Sequence, residues 1–227
     1  SQRVLGVPGL RLGKVLVAAQ VSLSVLLLVS TGLLMQTLLN LYRTDLGFTT
    51  DKILVFGLNP GQAGYEDGNS VHFYDQVEAN LASLPGVRSI ALSSDNLLGG
   101  SRASTGFSIP GRTADGPQSP QADVLDVSET FFQTMGIPLL RGRTFERTDT
   151  PSEPRVVIVN ETFARTFFAH DDPVGQSIHM GERDHRIIGL SADAKYNRVQ
   201  SDIEPTMYFS HRQASPGAMC FEVRTAG

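Results

Sequence analysis

Few side chains in this sequence have both the type and the spacing that chemistry requires. The five histidines, His72, His170, His179, His185 and His211, form no H-E-x-x-H pair or other repeat on one helix face, the arrangement a zinc hydrolase uses. His170 with Asp171 and Asp172 is the nearest approach to a metal-ligand run, and a polar turn is the preferred reading of it. His179 and His185 bracket a turn signal, Gly181-Glu182-Arg183-Asp184, where a cross-strand pair is conceivable and exposed imidazoles are expected. Cys220 is the only cysteine, so the chain by itself makes neither a disulfide nor a thiolate zinc site. Ser101 and Ser104 lie in no G-x-S-x-G elbow, and no partner base is identifiable for either. No G-x-x-x-x-G-K-[ST] run is present, and the glycines around Gly99-Gly100 and Gly106 lack the strand-to-helix context of a phosphate cradle. Asn160-Glu161-Thr162 matches a glycosylation sequon, but Asn160 is already explained as a helix cap. The expectation is therefore no catalytic residue, no cofactor and no metal.

Two arginines remain. Arg141 and Arg143 stand two apart on an extended segment, which puts them on one face, where they would grip a carboxylate or a neighbouring subunit. The competing reading has them solvated and bonded to local loop carbonyls.

The elements that position these residues begin with a long apolar stretch. Residues 15–42 carry no charged side chain, and Val15–Met35 is dominated by Leu, Val and Ala. At ~1.5 Å per residue that segment spans roughly 31 Å, a bilayer core. A cleaved signal peptide would have a shorter apolar region and a small-x-small site, whereas this segment runs on into Met35-Gln36-Thr37-Leu38-Leu39. Arg11 and Lys14 precede it, and Arg43 follows beside Asp45, so the positive-inside bias places the N-terminus in the cytoplasm and the large domain outside. Leu34, Leu38 and Leu41 continue the helical spacing and predict a stalk. The division expected is a juxtamembrane segment at 1–14, a transmembrane helix and stalk at 15–43, and a folded domain at 48–227. Ser1 in place of Met and a final strand close to the last residue suggest a piece of a longer polypeptide, truncated at the C-terminal end of its domain.

Beyond the stalk the pattern is mixed. Strands are predicted at 52–58, 87–94, 107–109, 122–127, 155–159, 177–180, 185–190, 206–209 and 219–224. A helix capped by Asn69 or Ser70 carries Phe73, Tyr74, Val77, Leu81 and Leu84 on one face and stops at Pro85-Gly86. Ser128 is expected to cap a short helix ended by Gly136, and Asn160 to cap another over 161–169. The fold class is α+β: one N-terminal transmembrane helix, then a mixed α/β extracytoplasmic domain with a strand-rich second part. Net charge is −4, with 19 basic and 23 acidic residues and no long runs, which argues against nucleic acid as a partner.

The local motifs occur in a specific order. Leu84-Pro85-Gly86-Val87, Phe131-Phe132-x-x-Met135-Gly136-Ile137-Pro138-Leu139-Leu140-Arg141-Gly142-Arg143-x-Phe145, Val157-Ile158-Val159-Asn160-Glu161, Asp172-Pro173-Val174-Gly175 and Ile188-Gly189 before Asp193-Ala194-Lys195 follow one another. Together they resemble the periplasmic core domain of MacB-type ABC transporter permeases. Ala19-Gln20-Val21 and Asp45-x-Gly47-Phe48 resemble the start of the second half of duplicated orphan permeases.

The resemblance implies a bacterial inner-membrane permease unit whose periplasmic domain lies between its first two membrane helices and transmits movement driven by cytoplasmic ATP hydrolysis. Implied partners are other permease helices or a homologous permease half, an ABC ATPase subunit, a periplasmic adaptor and membrane lipid. The rivals are a single-pass sensor or receptor ectodomain and, further off, a membrane-anchored hydrolase.

Overall fold

The computed structural model describes residues 9–43, 46–63, 70–95, 98–99, 103–111, 119–169, 171–195, 202–214 and 217–226. Asn69, Ser101 and His170, and the side chains of Arg11 and Arg43, lie outside the described set. The chain divides into two compact units, residues 1–44 and 45–227.

The first unit is one helix, α1 (Gly9–Arg43). Its stretch Gly13–Leu41 has a mean hydropathy of 2.0, long and apolar enough to cross a membrane. Leu and Val side chains are exposed along the whole length. Four of its hydroxyls are satisfied within the helix: Ser24, Ser30, Thr31 and Thr37 each donate to the carbonyl one turn back, at 2.8–2.9 Å. That internal bonding is what a lipid-exposed helix requires, because no water is there to take the donors. The helix is already formed at Gly9 and runs unbroken to Arg43, so the predicted stalk is continuous with the apolar span.

The second unit is a mixed sheet with helices on its faces. Its strands are β1 (Ile53–Leu58), β2 (Val87–Ser93), β3 (Ala103–Gly106), β4 (Gln121–Val127), β5 (Leu139–Gly142), β6 (Val156–Asn160), β7 (Ser177–Met180), β8 (Arg183–Ser191), β9 (Thr206–Ser210) and β10 (Met219–Thr225). Its helices are α2 (Ser70–Ala82), α3 (Phe131–Met135) and α4 (Glu161–Phe167). The sheet order is β1-β10-β2-β4-β9-β6-β8-β5, with β3 on β4 and β7 on β8.

Burial explains the strand patterns. β6 reads Val-Val-Ile-Val and is buried on both faces: Val156 and Ile158 join the cluster around α3, while Val157 and Val159 join the cluster around α4. A third cluster, centred on Tyr74, Leu92 and Phe221, lies under α2.

The sheet has a seam. β2 and β4 share one register pair, Ser93 with Val127, so β1, β10, β2 and α2 form one lobe and the remaining strands another. Backbone bonds from Ser94 N to Asp126 O (2.9 Å) and from Ser128 N to Leu92 O (3.0 Å) flank that pair.

Three local expectations are corrected. The strand predicted at 107–109 lies earlier, as β3, because Phe107 and Ile109 are drawn into the core as anchors while only Ser108 bridges to His179. Ser128 does not cap α3; the preceding residue is Thr130, without a side-chain cap bond, and the Ser128 hydroxyl instead accepts from Leu92 N at the seam. Arg155 stays out of β6, its guanidinium turned to the carbonyl of Gln213. Gly136 does close α3 in the left-handed region, at φ 71°, and Asn160 does cap α4, accepting from Phe163 N at 2.9 Å.

One buried cation ties the lobes across the seam. Arg212, at the end of β9, takes the Asp75 carboxylate of α2 with both terminal nitrogens (2.5 and 3.1 Å) and Glu129 ahead of α3 with Nε. Burial pushes the Asp75 carboxyl up, but the hydrogen bond and charge of Arg212 more than offset it and lower its pKa.

Removing one partner of such a pair strands buried charge, so Arg212→Ala is expected to cost about 3 kcal/mol or more, read as a fall in the thermal midpoint of the detergent-solubilised chain. Because the Asp75 pKa is depressed in the folded state, the pair's contribution is present above about pH 4 and is lost as the pH falls through the folded pKa. Asp126 works the other way: burial raises its carboxyl to about 6, so the folded state favours the neutral acid and loses that advantage as pH rises through 6. Asp126→Asn should therefore raise the thermal midpoint at pH 7.5, with the gain vanishing below about pH 4.

Candidate functional site

The residues that immediately follow the apolar helix form the most heavily constrained surface segment of the domain. Leu46 O accepts from Lys195 N at 2.8 Å, and Thr49 N donates to Met135 O at 2.8 Å. Between them Gly47 has φ 72°, and a Cβ there would stand 2.3 Å from the carbonyl oxygen of Asp193. Only glycine fits that approach. Phe48 packs against the α3 cluster. Gly136 repeats the constraint from the other side, since its Cβ would lie 2.7 Å from Thr49 Oγ1.

Arg224, on β10, closes the arrangement. Its guanidinium donates to Thr49 O (3.1 Å), Asp51 O (3.0 Å) and Thr134 O (2.5 and 2.9 Å). Asp193 works in two directions: its backbone abuts Gly47, while its carboxylate accepts from Thr162 N (2.8 Å) and Thr162 Oγ1 (2.7 Å) on the first turn of α4. Residues 46–51 thus form a strap held by the exit of β8, the end of α3 and β10. Gly47-Phe48, Met135-Gly136 and Asp193-Ala194-Lys195, all from motifs far apart in the sequence, meet here.

The arginines singled out by spacing do not act as a pair. Arg141 holds Asp172 at 2.8 Å on the surface, and Arg143 makes a two-pronged contact with Asp149, 2.8 Å at each nitrogen. Gly142 between them, at φ 79°, breaks the alternation; a Cβ there would lie 2.1 Å from Ile188 O. Burial raises the Asp149 carboxyl, and the Arg143 bond with the Glu146 N–H outweighs it, leaving the pKa lowered. Asp172 also accepts from Val174 N at 3.1 Å, with Gly175 at φ 92°, the tight turn expected of Asp172-Pro173-Val174-Gly175.

An open cleft of about 730 Å³ adjoins Arg143 and Asp149, with Glu153, Arg186, Val156 and Ile188 among its walls. The hydroxyl and carboxylates in its lining are those of Thr148, Asp149 and Glu153, and Asp149 is engaged by Arg143. The histidines are dispersed. His179 faces Asp184 across the β7–β8 hairpin at 2.8 Å, whereas His185 pairs in register with Ile178 and is only 6% exposed, its ring edge-on to Phe209. The exposure expected of His185 is thus overturned, because β8 alternates and its inward side feeds the α4 cluster. Among the described residues no three His, Cys, Asp or Glu side chains are grouped to hold a metal. Cys220 is buried, and burial followed by the Glu222 and Asp95 charges pushes its thiol pKa up, which keeps it protonated and unreactive.

Arg224 and Thr49 escaped the sequence reading, which named Asp193 only as part of a motif. Arg224 ends a strand of otherwise ordinary composition, and no spacing rule connects it to Thr49 or Thr134; only the fold brings them together.

Fold and strap define a strand-rich mixed α/β domain whose first folded residues follow a helix long enough to cross a membrane. The family described as MacB-like periplasmic core domain matches residues 15–224, and this chain belongs to it. The macrolide export ATP-binding/permease protein MacB of Sodalis glossinidius is 26% identical over 57% of this chain and 20% of its own length. MacB 1 of Aeromonas hydrophila is 36% identical over 34% of this chain and 12% of its own. The chain therefore spans a fifth or less of these curated relatives. The crystal structure of the periplasmic region of MacB from Actinobacillus actinomycetemcomitans superposes with a TM-score of 0.52 at 16% identity, covering 83% of this chain and 81% of that one, which establishes the shared fold.

Gly47→Ala is expected to cost more than the roughly 1 kcal/mol of a left-handed alanine, because the backbone of Asp193 must also retreat. Hydrogen exchange should show the Lys195 and Thr49 amides losing protection together, with the α4 core amides unchanged.

Proposed function

We propose that this chain is the extracytoplasmic core domain and first transmembrane helix of a MacB-like ABC transporter permease, with its N-terminus in the cytoplasm and residues 48–227 outside. It performs no bond chemistry; it passes movement of the membrane helix into a sheet domain that meets other proteins. The strap carries this reading. Only residues 44 and 45 separate the last helical residue from Leu46, and from there the chain is bonded to β8, α3 and β10 within six residues. A passive anchor has no need of a connection so short and so tightly held, since a flexible linker tethers equally well. Energy for the movement comes from an ATPase on a partner chain or domain, and other permease helices or a homologous half complete the membrane unit. Arg11, Lys14 and Arg43 set the orientation through their distribution about the span. Arg141 and Arg143, already paired within the domain, serve contacts with a neighbouring subunit or adaptor at its rim. Family membership favours this account over a sensor ectodomain or an anchored hydrolase.

In the full polypeptide on a Cys220→Ser background, Thr50→Cys should react with a membrane-impermeant maleimide from outside the cell; reaction only from the cytoplasmic side overturns the orientation. Inserting Gly-Gly-Ser between Thr44 and Asp45 should preserve that labelling. It should abolish any ATP-dependent change in hydrogen exchange at residues 46–51, and an unchanged response would defeat the coupling role.

A further inference from the structure

Three groups that carry or can take positive charge stand together where β6 and β8 begin. The two strands run parallel, with Val156 opposite Arg186 and Val157 opposite Ile187. Val157 and Ile187 both face the α4 cluster, so Arg155 and His185, two residues ahead of them, share that face. Arg183 lies two residues before His185 and opposite Met180 of β7, whose side chain packs against the same cluster. Among the described residues neither Arg155 nor Arg183 forms an ion pair.

The cluster lacks a counter-charge. Arg155 is half-buried and donates one N–H to the Gln213 carbonyl, which leaves the rest of its guanidinium without a partner among the described residues. Burial, and then the charge of Arg183, lower the Arg155 pKa, so the two guanidiniums are close enough to repel. His185 is only 6% exposed, and its Nδ1 has no hydrogen-bond partner in the structure. Burial lowers the His185 pKa most; a bond to the Arg183 backbone opposes this, and the charges of Arg155 and Arg183 lower it further. The side chains packed on His185 give no compensation, for Ile178 of β7 and Phe209 of β9 are apolar. Asp184, the neighbouring acid, holds His179 at 2.8 Å. A buried ring nitrogen left unbonded and two guanidiniums without acids are each unfavourable, and one bound anion answers all three.

We infer that Arg155, Arg183 and His185 form a binding site for a phosphate group, carried by a soluble phosphate or by a lipid headgroup. The two guanidinium forks take its oxygens from adjacent strands, and His185 adds a ring N–H from the buried side. A phosphate suits three such donors better than a carboxylate does, because it offers more acceptor oxygens and a second negative charge.

The test is calorimetric titration of the detergent-solubilised chain with inorganic phosphate, against sodium chloride at equal ionic strength. Saturable phosphate binding is expected, weaker by about tenfold or more in Arg183→Gln, which removes an exposed guanidinium that forms no ion pair. His185→Gln should weaken it as well, and the His185 ring resonances should titrate at higher pH in phosphate than in chloride. Nanodiscs of phosphatidylcholine with and without phosphatidic acid separate the sources. The same rise in the phosphatidic acid discs without added phosphate assigns the site to a lipid headgroup, and a rise with inorganic phosphate alone assigns it to a soluble phosphate. No response to either source overturns the inference. So does an equal response to chloride, which is screening, or an affinity unchanged in the Arg183→Gln/His185→Gln double variant.

Discussion

The domain depends on one close approach, that of the Gly47 backbone to the carbonyl of Asp193. There the chain leaving α1 is pressed between the exit of β8 and the end of α3, and a methyl group would not fit. A contact of this kind works by exclusion. It gives little energy of its own, but it leaves the segment a single path, along which Thr49 meets Met135 and the Arg224 guanidinium finds three carbonyls. Arg224 donates to carbonyls and not to a carboxylate, so the clamp is insensitive to the titration of any acid. Asp193 extends the constraint into α4, whose first turn it holds by two bonds from Thr162. Displacement of the strap would thus be felt by elements in both lobes.

Those lobes are joined by a short ladder and by side chains. A continuous ladder between β2 and β4 would make the sheet one stiff plate, whereas a single register pair leaves the junction to side chains. Arg212 adds charge to a junction also made by the Ser94–Asp126 and Leu92–Ser128 hydrogen bonds. Its partners come from α2 and from the turn before α3, and because both carboxylates are largely shielded from water their attraction is stronger than that of a surface pair. The same burial makes the network intolerant of losing a member. Glu78 adds to the local excess of acid: its carboxyl is pushed up by burial and by Glu129, with Arg147 at 3.7 Å as its counter-charge. A junction made of ions within a seam is rigid while complete and cooperative when it fails.

Much of this was legible in the sequence and some was not, for identifiable reasons. The apolar helix, the α2 face and the short helix after Asn160 are written in local periodicity and caps; the two shorter helices appear within about two residues of the expected bounds, whereas the apolar helix begins at Gly9, ahead of the expected start at 15. Strand β3 was misplaced because Phe107-Ser108-Ile109 alternates as a strand does, yet the alternation serves to bury two anchors in a loop. His185 was expected at the surface since its turn is polar, but the side chain follows the strand's period and not the turn's composition. Arg141 and Arg143 each hold a carboxylate, but separate ones, because Gly142 in the left-handed region ends the extended alternation between them. Arg212 and Arg224, the two cations that hold the molecule together, gave no local signal at all, because the groups they bind lie 83 or more residues away in the chain.

The same contrast bears on how the described ionisable groups are used. Several of the domain's described ionisable groups are spent in pairs: Arg143 with Asp149, Arg212 with Asp75 and Glu129, His179 with Asp184. Cys220 is held as a thiol by burial and neighbouring acids. A catalytic centre needs the reverse, a group kept unsatisfied and accessible at a pKa near the working pH. What the fold keeps under constraint is backbone: a glycine with no room for a methyl group, carbonyls shared by one guanidinium, and a seam one residue wide. Those features fix the path of the backbone where the chain enters the domain.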